Sequence, residues 1–356
     1  MRVLVTGGAG YIGSHVVLSL MHAGHEPIIL DNLSKGHEES LLGGKFVQAD
    51  ITDGGAVQQV MDREKIQAVV HLAADSLVGE SIIHPGKYFR NNIQGSLVLL
   101  ESMRACGVRY LVFSSTAAVY GEPSVVPIPE DHGTVPTNPY GFSKLTVEGM
   151  MSWYDRAHGV RYASLRYFNA AGSEPGGRIG EDHRPETHLI PIVLQVALGL
   201  RPAIQLFGTD YPTPDGTCVR DYIHVSDLAD AHVLALAALA AGGESRIYNL
   251  GNGLGYSNRQ VIETVASVTG KEVPVEPGPR RPGDPAVLVA SSDRIRNELG
   301  WRPKYPELSQ IVATAWEWHR LHPEGYVYEK SQVLYDVFET DLRLSAARLD
   351  TERAKC

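Results

Sequence analysis

Tyr140-Gly141-Phe142-Ser143-Lys144 sets a phenol and an ammonium four residues apart. On a helix this spacing brings both side chains onto one face, within interacting distance. An ammonium beside a phenol favours the phenolate, so Lys144 is expected to lower the Tyr140 pKa toward working pH and make it an acid–base group. Tyr-x-x-x-Lys also arises by chance, as a half-buried tyrosine beside a solvated lysine, so the pair needs company. Ser114-Ser115-Thr116-Ala117-Ala118-Val119-Tyr120-Gly121 stands at the C-terminal end of the apolar run Tyr110-Leu111-Val112-Phe113. Ligands bind beyond the carboxyl ends of parallel strands, which places these hydroxyls for chemistry; their plain alternative is turn capping.

A third group of residues could hold a nucleotide. In VTGGAGYIGS, Gly7, Gly10 and Gly13 form GxxGxxG, and Gly8, Gly10 and Gly13 form GxGxxG. Such glycines turn the chain tightly, let backbone amides approach a pyrophosphate, and let the helix pack close on the strand. The turn follows an apolar strand and opens an amphipathic helix, and Asp31 ends the next strand about 18 residues after Gly13. An acid there accepts hydrogen bonds from a ribose diol, which favours NAD over a 2′-phosphorylated cofactor. The histidines, including His71 and His224, read as structural, and no spacing suggests a metal site.

These residues need a scaffold of strand ends and helix starts, and the pattern supplies one. RVLVTG, EPIILDN, Lys45 to Gln48, Gln67 to Leu72 and Arg109 to Ser114 read as strands. Helical stretches run from Ile12 to Ala23, Ala56 to Glu64, Tyr88 to Cys106 and Tyr140 to His158. The runs VLV, IIL, AVVHLA and YLVF are almost continuously apolar, as in strands covered on both faces. A doubly wound, Rossmann-type parallel sheet is expected, with a smaller mixed α/β C-terminal unit. The expected division is 1–168 for cofactor binding (with some later segments returning to it), 169–325 for substrate, and 326–356 as an extension of unknown role. SEPGGRIGEDHRPETH reads as a polar surface loop. Helices are expected at Leu189 to Leu200, Val225 to Ala241, Asn258 to Thr269, Ser291 to Leu299 and Leu308 to His319, with a strand in RIYNLGNG.

Composition excludes several alternatives. The chain has 356 residues, 32 Lys plus Arg and 41 Asp plus Glu, a formal charge of -9. A net negative chain is a poor binder of nucleic acid or anionic membranes, which both need a basic field. Cys106, Cys218 and Cys356 lie far apart, without the spacing of a disulfide framework. The opening apolar run has no charged leader and is too short to span a membrane, so a cytoplasmic protein is expected.

Taken in order, VTGGAGYIGSH, DNLS, HLAA with VGES, NN-x-x-G at Asn91, SSTAAVYGE, NPYGFSK, LRYFNAAG, VRDYIHVSDLADAH, YNLGNG, RRPGD and ELGW resemble the UDP-glucose 4-epimerase family of the extended short-chain dehydrogenase/reductases. The match runs from Met1 to about Tyr326. It implies Tyr140 as base, Lys144 as its partner and Thr116 as the catalytic hydroxyl. It implies NAD contacts at Gly7, Gly10, Tyr11, Ile12, Gly13, Asp31, Asn32, Ser34, Asp50, Ile51, Leu72, Ala73, Ala74, Asn91, Thr116, Tyr140, Lys144 and Phe168. Ser76 stands where a lysine often reaches the NAD phosphates. For the nucleotide-sugar the matching positions are Thr116, Tyr140, Asn169, His188 (where asparagine is common), Leu189, Gln205, Phe207, Arg220, Arg281, Asp284 and Leu288. Arginine suits the two phosphates because its planar fork donates twice; the plain alternative pairs each arginine with Asp221 or Asp284.

The implied reaction inverts C4 of a UDP-hexose. Tyr140, ionised by Lys144 and the nicotinamide charge, takes the 4-hydroxyl proton with Thr116 relaying, C4 gives a hydride to NAD⁺, and the 4-ketopyranose turns over and takes it back. NAD is regenerated and is expected to stay bound. A nucleotide-sugar 4,6-dehydratase would need Asp-Glu directly after the threonine, where Ala117 and Ala118 stand; a non-catalytic NAD-binding regulator would have no need of Thr116, Tyr140 and Lys144 together. The resemblance also implies a homodimer through two helices per subunit. Leu288 falls at the wall facing the sugar C2 substituent, where a tyrosine narrows the pocket, so leucine is expected to admit N-acetylated UDP-sugars.

Overall fold

The computed structural model describes residues 1–281 and 284–327. Strands and helices alternate through the first half as β1 (Arg2–Thr6), α1 (Tyr11–His22), β2 (Glu26–Asp31), β3 (Lys45–Gln48), α2 (Gly54–Glu64) and β4 (Ala68–His71). There follow α3 (Val78–Ile83), α4 (Pro85–Tyr88), α5 (Gly95–Cys106), β5 (Tyr110–Thr116), α6 (Pro139–His158) and β6 (Arg161–Tyr167). The second half holds β7 (Asn169–Ala171), α7 (Leu189–Ala197), β8 (Ile204–Phe207), β9 (Val219–Arg220), β10 (Tyr222–His224), α8 (Val225–Ala240) and β11 (Arg246–Leu250). It closes with β12 (Tyr256–Ser257), α9 (Asn258–Thr269), β13 (Val275–Gly278), β14 (Val287–Leu288), α10 (Asp293–Leu299) and α11 (Leu308–Leu321).

Local chemistry starts and stops these elements. Asp53 caps α2 by accepting the Ala56 N–H at 3.0 Å. Asn138 caps α6 by accepting the Gly141 N–H at 2.8 Å, Pro139 fills the first helical position, and Gly159 ends the helix with φ 67°. One expected helix is divided: between α4 and α5 the residues Phe89–Gln94 wind as a π-helical turn.

Seven parallel strands form one sheet in the order β11-β6-β5-β4-β1-β2-β3. Buried apolar side chains fill both faces. Val3, Val5, Val70 and Leu165 pack with Val16, Leu20, Leu228 and Leu236 on one side. On the other, Leu4, Val69 and Leu111 pack with Val57, Leu99, Met103 and Met151. Strand order reverses between β1 and β4, and the carboxyl ends of the strands open there into the crevice where ligands bind. Residues 225–250 return to this sheet: β11 pairs with β6, and α8 packs against the same core as α1. A smaller unit is built on α7, α9 and α11 around Val193, Leu194, Val261, Ile311 and Val312.

The Gly- and Pro-rich stretch after β7 is only in part the surface loop that its polarity suggests: Pro175, Arg178, Arg184 and Thr187 are exposed, but its middle is not. Ser173, Ile179, Gly180 and Glu181 are buried. Gly180 lies against the Trp318 ring, where a Cβ would come within 2.2 Å, and its N–H donates to the Tyr326 hydroxyl at 3.1 Å. Partners more than a hundred residues away bury it. The expected extension at 326–356 lies, from residue 328 on, outside the described residues. No helix among the described residues is long and apolar enough to cross a membrane.

Candidate active site

Only glycine fits the turn after β1. Gly7 has φ 73°, and a Cβ there would stand 2.6 Å from the Ala73 nitrogen. A Cβ on Gly13 would stand 2.0 Å from the Gly7 carbonyl oxygen, so this glycine lets α1 close onto the turn. Gly10 is the N-cap of α1 and brings no side chain to the helix end, leaving the first-turn amides, beginning at Tyr11 and Ile12, and the positive helix pole for an anion.

Asp31 ends β2, buried. Its two oxygens accept the Ala9 N–H at 3.0 Å and the Leu33 N–H at 2.9 Å, and each oxygen retains accepting capacity for a ribose. Burial pushes the Asp31 carboxyl up, and those two N–H groups draw it partly back. Beyond it, Asn32 donates to Asp50 at 2.8 Å and accepts the Ser34 N–H at 2.9 Å, while Ile51 is buried behind. Leu72, Ala73 and Ala74 leave β4 opposite, the Leu72 N–H bonded to the Thr6 carbonyl at 2.9 Å. Asn91 lies half-buried in the π turn, and Ser76 is exposed. Turn, helix end and acid together suit a dinucleotide.

Thr116 is the last residue of β5, and its Oγ1 accepts the Ala118 N–H at 3.1 Å. Tyr140 stands in the first turn of α6, where the nearby Thr116 side chain draws its phenol down. Ser143 donates to the Tyr140 carbonyl at 2.7 Å and is itself held by Asn92 at 3.0 Å. Lys144, one turn on, is 3% exposed and donates to the Ser114 carbonyl at 2.8 Å. Phe168 packs beside Leu288 against Val119, Tyr120 and Ile128.

The electrostatics correct one expectation. Burial raises the Tyr140 phenol, and the protein group that lowers it is Thr116, not Lys144. Burial also pushes Lys144 down, to about 7, against the opposing pull of the Glu148 carboxylate. Both groups are withdrawn from water, and the ammonium directs its hydrogen bond to the Ser114 carbonyl.

On the far side of the crevice Asn169 donates to the Asp221 carbonyl at 2.9 Å. Gln205 and Phe207 lie on β8, and the Arg281 guanidinium stacks 4.2 Å over the Phe207 ring. Arg220 pairs with Asp284 and stands in register with Leu288 of the parallel neighbour β14. Asp221 takes no part in that pairing. It accepts N–H groups of Asn252, Gly253 and Ala290, and burial pushes its carboxyl up to about 6. Leu189 begins α7, but His188 just before it turns to Glu181 and Glu186 instead of joining the arginines.

The NAD dependent epimerase/dehydratase family matches residues 3–251. A UDP-glucose 4-epimerase of Halalkalibacterium halodurans is 54% identical over 329 residues, 92% of this chain and 98% of that protein. The chain belongs to the UDP-glucose 4-epimerase family.

Two solved structures of UDP-glucose 4-epimerases carry the likeness into three dimensions. That from Brucella ovis, in complex with NAD, has a TM-score of 0.87 at 45% identity, covering 88% of this chain and 97% of the other. The UDP-Glc/GlcNAc 4-epimerase of Campylobacter jejuni has a TM-score of 0.79 at 40% identity, covering 90% and 99%. The glycine cradle and the Thr116, Tyr140 and Lys144 constellation thus sit in an epimerase framework.

Two clusters escaped the sequence reading. Beneath β5, Glu148 accepts from Ser115 at 2.6 Å, from Ser164 at 2.8 Å and from Arg166 at 2.5 and 3.0 Å. Arg166 also donates to the Tyr120 hydroxyl at 3.0 Å. The one available signal was the helical step of four from Lys144 to Glu148. The second cluster joins Glu181, His183, Glu186 and His188, where spacing had suggested no metal site. By contrast His71 and His224 are buried in hydrogen bonds, to Thr6 and Ser96 and to Thr314, as structural histidines would be.

Proposed function

We propose that this chain interconverts UDP-galactose and UDP-glucose by inverting C4, with NAD held as a resident cofactor. The convergence of Thr116, Tyr140 and Lys144 at the strand ends beside the glycine cradle carries the reading. NAD when bound supplies the hydride acceptor and donor for C4. Gly7, Gly10 and Gly13 would admit its pyrophosphate, Asp31 its ribose, and the rim of Asn32, Ser34, Asp50, Leu72 to Ala74, Asn91 and Phe168 the rest.

Tyr140 takes the proton of the sugar 4-hydroxyl and returns it after inversion. Thr116, at the end of β5 beside it, relays that proton. Lys144 stands by at the Ser114 carbonyl, and its positive charge, when present, favours the phenolate. Arg220 and Arg281 receive the diphosphate, with Phe207, Gln205, Asn169 and Leu189 around the nucleotide and Leu288 beside the sugar. Ala117 and Ala118 leave the threonine without the carboxylates that a 4,6-dehydratase needs. Purified protein given UDP-galactose should form UDP-glucose; accumulation of a 4-keto-6-deoxy sugar would favour the dehydratase.

The assembly we propose is a cytoplasmic homodimer through α5 and α6. Leu97 is 42% exposed, Phe142 50% and Trp153 67%, large apolar side chains on those two helices. Sedimentation equilibrium that returns a monomer would overturn it.

A further inference from the structure

Glu181, His183, Glu186 and His188 offer one donor atom each, all within 4.8 Å of one another. Glu181 Oε1 lies 2.8 Å from His188 Nδ1 and 3.2 Å from His183 Nδ1. His183 Nδ1 is 3.7 Å from Glu186 Oε2, and His188 Nδ1 is 3.1 Å from Glu186 Oε1. Four donors placed around one tetrahedral zinc, at about 2.0–2.1 Å from it, stand roughly 3.3 Å from each other. The separations among Glu181 Oε1, His183 Nδ1, His188 Nδ1 and Glu186 Oε2, at 2.8, 3.2 and 3.7 Å, bracket that value.

Simple hydrogen bonding does not satisfy this group. Glu181 is 4% exposed, yet its Oε1 and the His183 Nδ1 are both buried without a hydrogen-bond partner among the described residues. Glu186 is already oriented, because its Oε1 accepts the Thr187 N–H at 2.7 Å and the His188 N–H at 2.8 Å, leaving Oε2 for a further partner. The His188 ring does make one directed bond, to Glu186 Oε1. A divalent cation that enters displaces protons from the imidazole nitrogens and pairs with the two carboxylates.

We propose that Glu181, His183, Glu186 and His188 bind one divalent transition-metal ion of the zinc class, as a structural site. Imidazole nitrogen with carboxylate oxygen suits zinc and excludes the all-oxygen preference of calcium or magnesium. The site lies where the buried loop meets α1: the Tyr11 ring stands edge-on to His183 at 6.1 Å, and the Tyr11 hydroxyl donates to the Gly172 carbonyl at 2.6 Å. It also holds His188, the N-cap of α7. A bound ion would fix the loop between β7 and α7 where it meets α1.

The test is metal content and affinity on the full chain. Protein stripped with a chelator is titrated with Zn²⁺ against a chromophoric competitor, and with Co²⁺ while its visible d–d bands are recorded. One Zn²⁺ per chain is expected, with intense tetrahedral Co²⁺ bands. His183→Ala and Glu181→Gln should each weaken binding by at least about 10-fold, and the surface variant His22→Ala should leave it unchanged. A wild-type chain that takes up no stoichiometric zinc overturns the site whatever the variants do. Undiminished affinity in His183→Ala or Glu181→Gln, with the fold checked by circular dichroism, overturns it too.

Discussion

Tyr140→Phe removes one oxygen from the site and leaves the ring, its 6.5 Å edge contact with Tyr88 and the backbone bond from Ser143 in place. UDP-sugar affinity should therefore persist while kcat falls by about 10²-fold or more, the amount that a positioned acid–base group supplies. Turnover within a few-fold of wild type would remove Tyr140 from the chemistry. Leu288 acts differently, by volume. It is half-buried beside Phe168 at the end of a short strand, and it has no hydroxyl with which to brace the opposite wall. Leu288→Tyr should lower kcat/KM for UDP-GalNAc by about 10-fold or more and leave UDP-galactose within a few-fold, since filling a pocket discriminates by about 1–3 kcal/mol. Equal losses on both sugars would mean that Leu288 is not the gate.

Strand β5 and helix α6 set the catalytic groups, and beneath them Glu148 ties α6 to β6 through Arg166 and to β5 through Ser115. Glu148 and Arg166 are nearly inaccessible, 5% and 4% exposed. Glu148→Gln would strand a buried guanidinium and should cost about 3–5 kcal/mol of stability, read by denaturant unfolding. A loss below about 1 kcal/mol would show that the pair is dispensable. The sequence does not show this pair, because Glu148 and Arg166 lie 18 residues apart and meet only when the fold packs α6 against β6. The glycine turn, the apolar strands and the Tyr140–Lys144 step were legible, since each depends on neighbours within one or two turns of chain. The π turn at Phe89–Gln94 and the buried loop after β7 were not. Polarity predicts a surface loop there, while Trp318 and Tyr326, far along the chain, bury Gly180. The spacing of Glu181, His183, Glu186 and His188 fits no familiar metal knuckle, so only the folded loop reveals their convergence.

Over the whole molecule, buried histidines should govern acid stability. Burial lowers His71 to about 3, and His15 and His232 to about 4, from an ordinary value of 6.5. Below pH 6.5 the unfolded chain takes protons that the folded chain refuses. Stability is therefore complete above that value and falls as pH drops toward 4, by about 1.4 kcal/mol per pH unit for each such histidine. His232 bonds the Leu228 carbonyl through Nδ1 at 2.8 Å, and its Nε2 is buried without a hydrogen-bond partner among the described residues. His232→Leu should flatten the fall in Tm between pH 6.5 and 5, and an unchanged slope would exclude it from the effect.

The two halves of the molecule meet at one crevice, with the glycine cradle on one side and Arg220, Arg281 and Phe207 on the other. If they act together, the hydrogen leaving C4 is kept within the site and returned to the same carbon. Purified protein, with no NAD added, should convert UDP-galactose deuterated at C4 into UDP-glucose that retains the deuterium at C4, as read by NMR. Loss of that label to solvent, or no epimer without added NAD, would contradict C4 inversion by a resident cofactor.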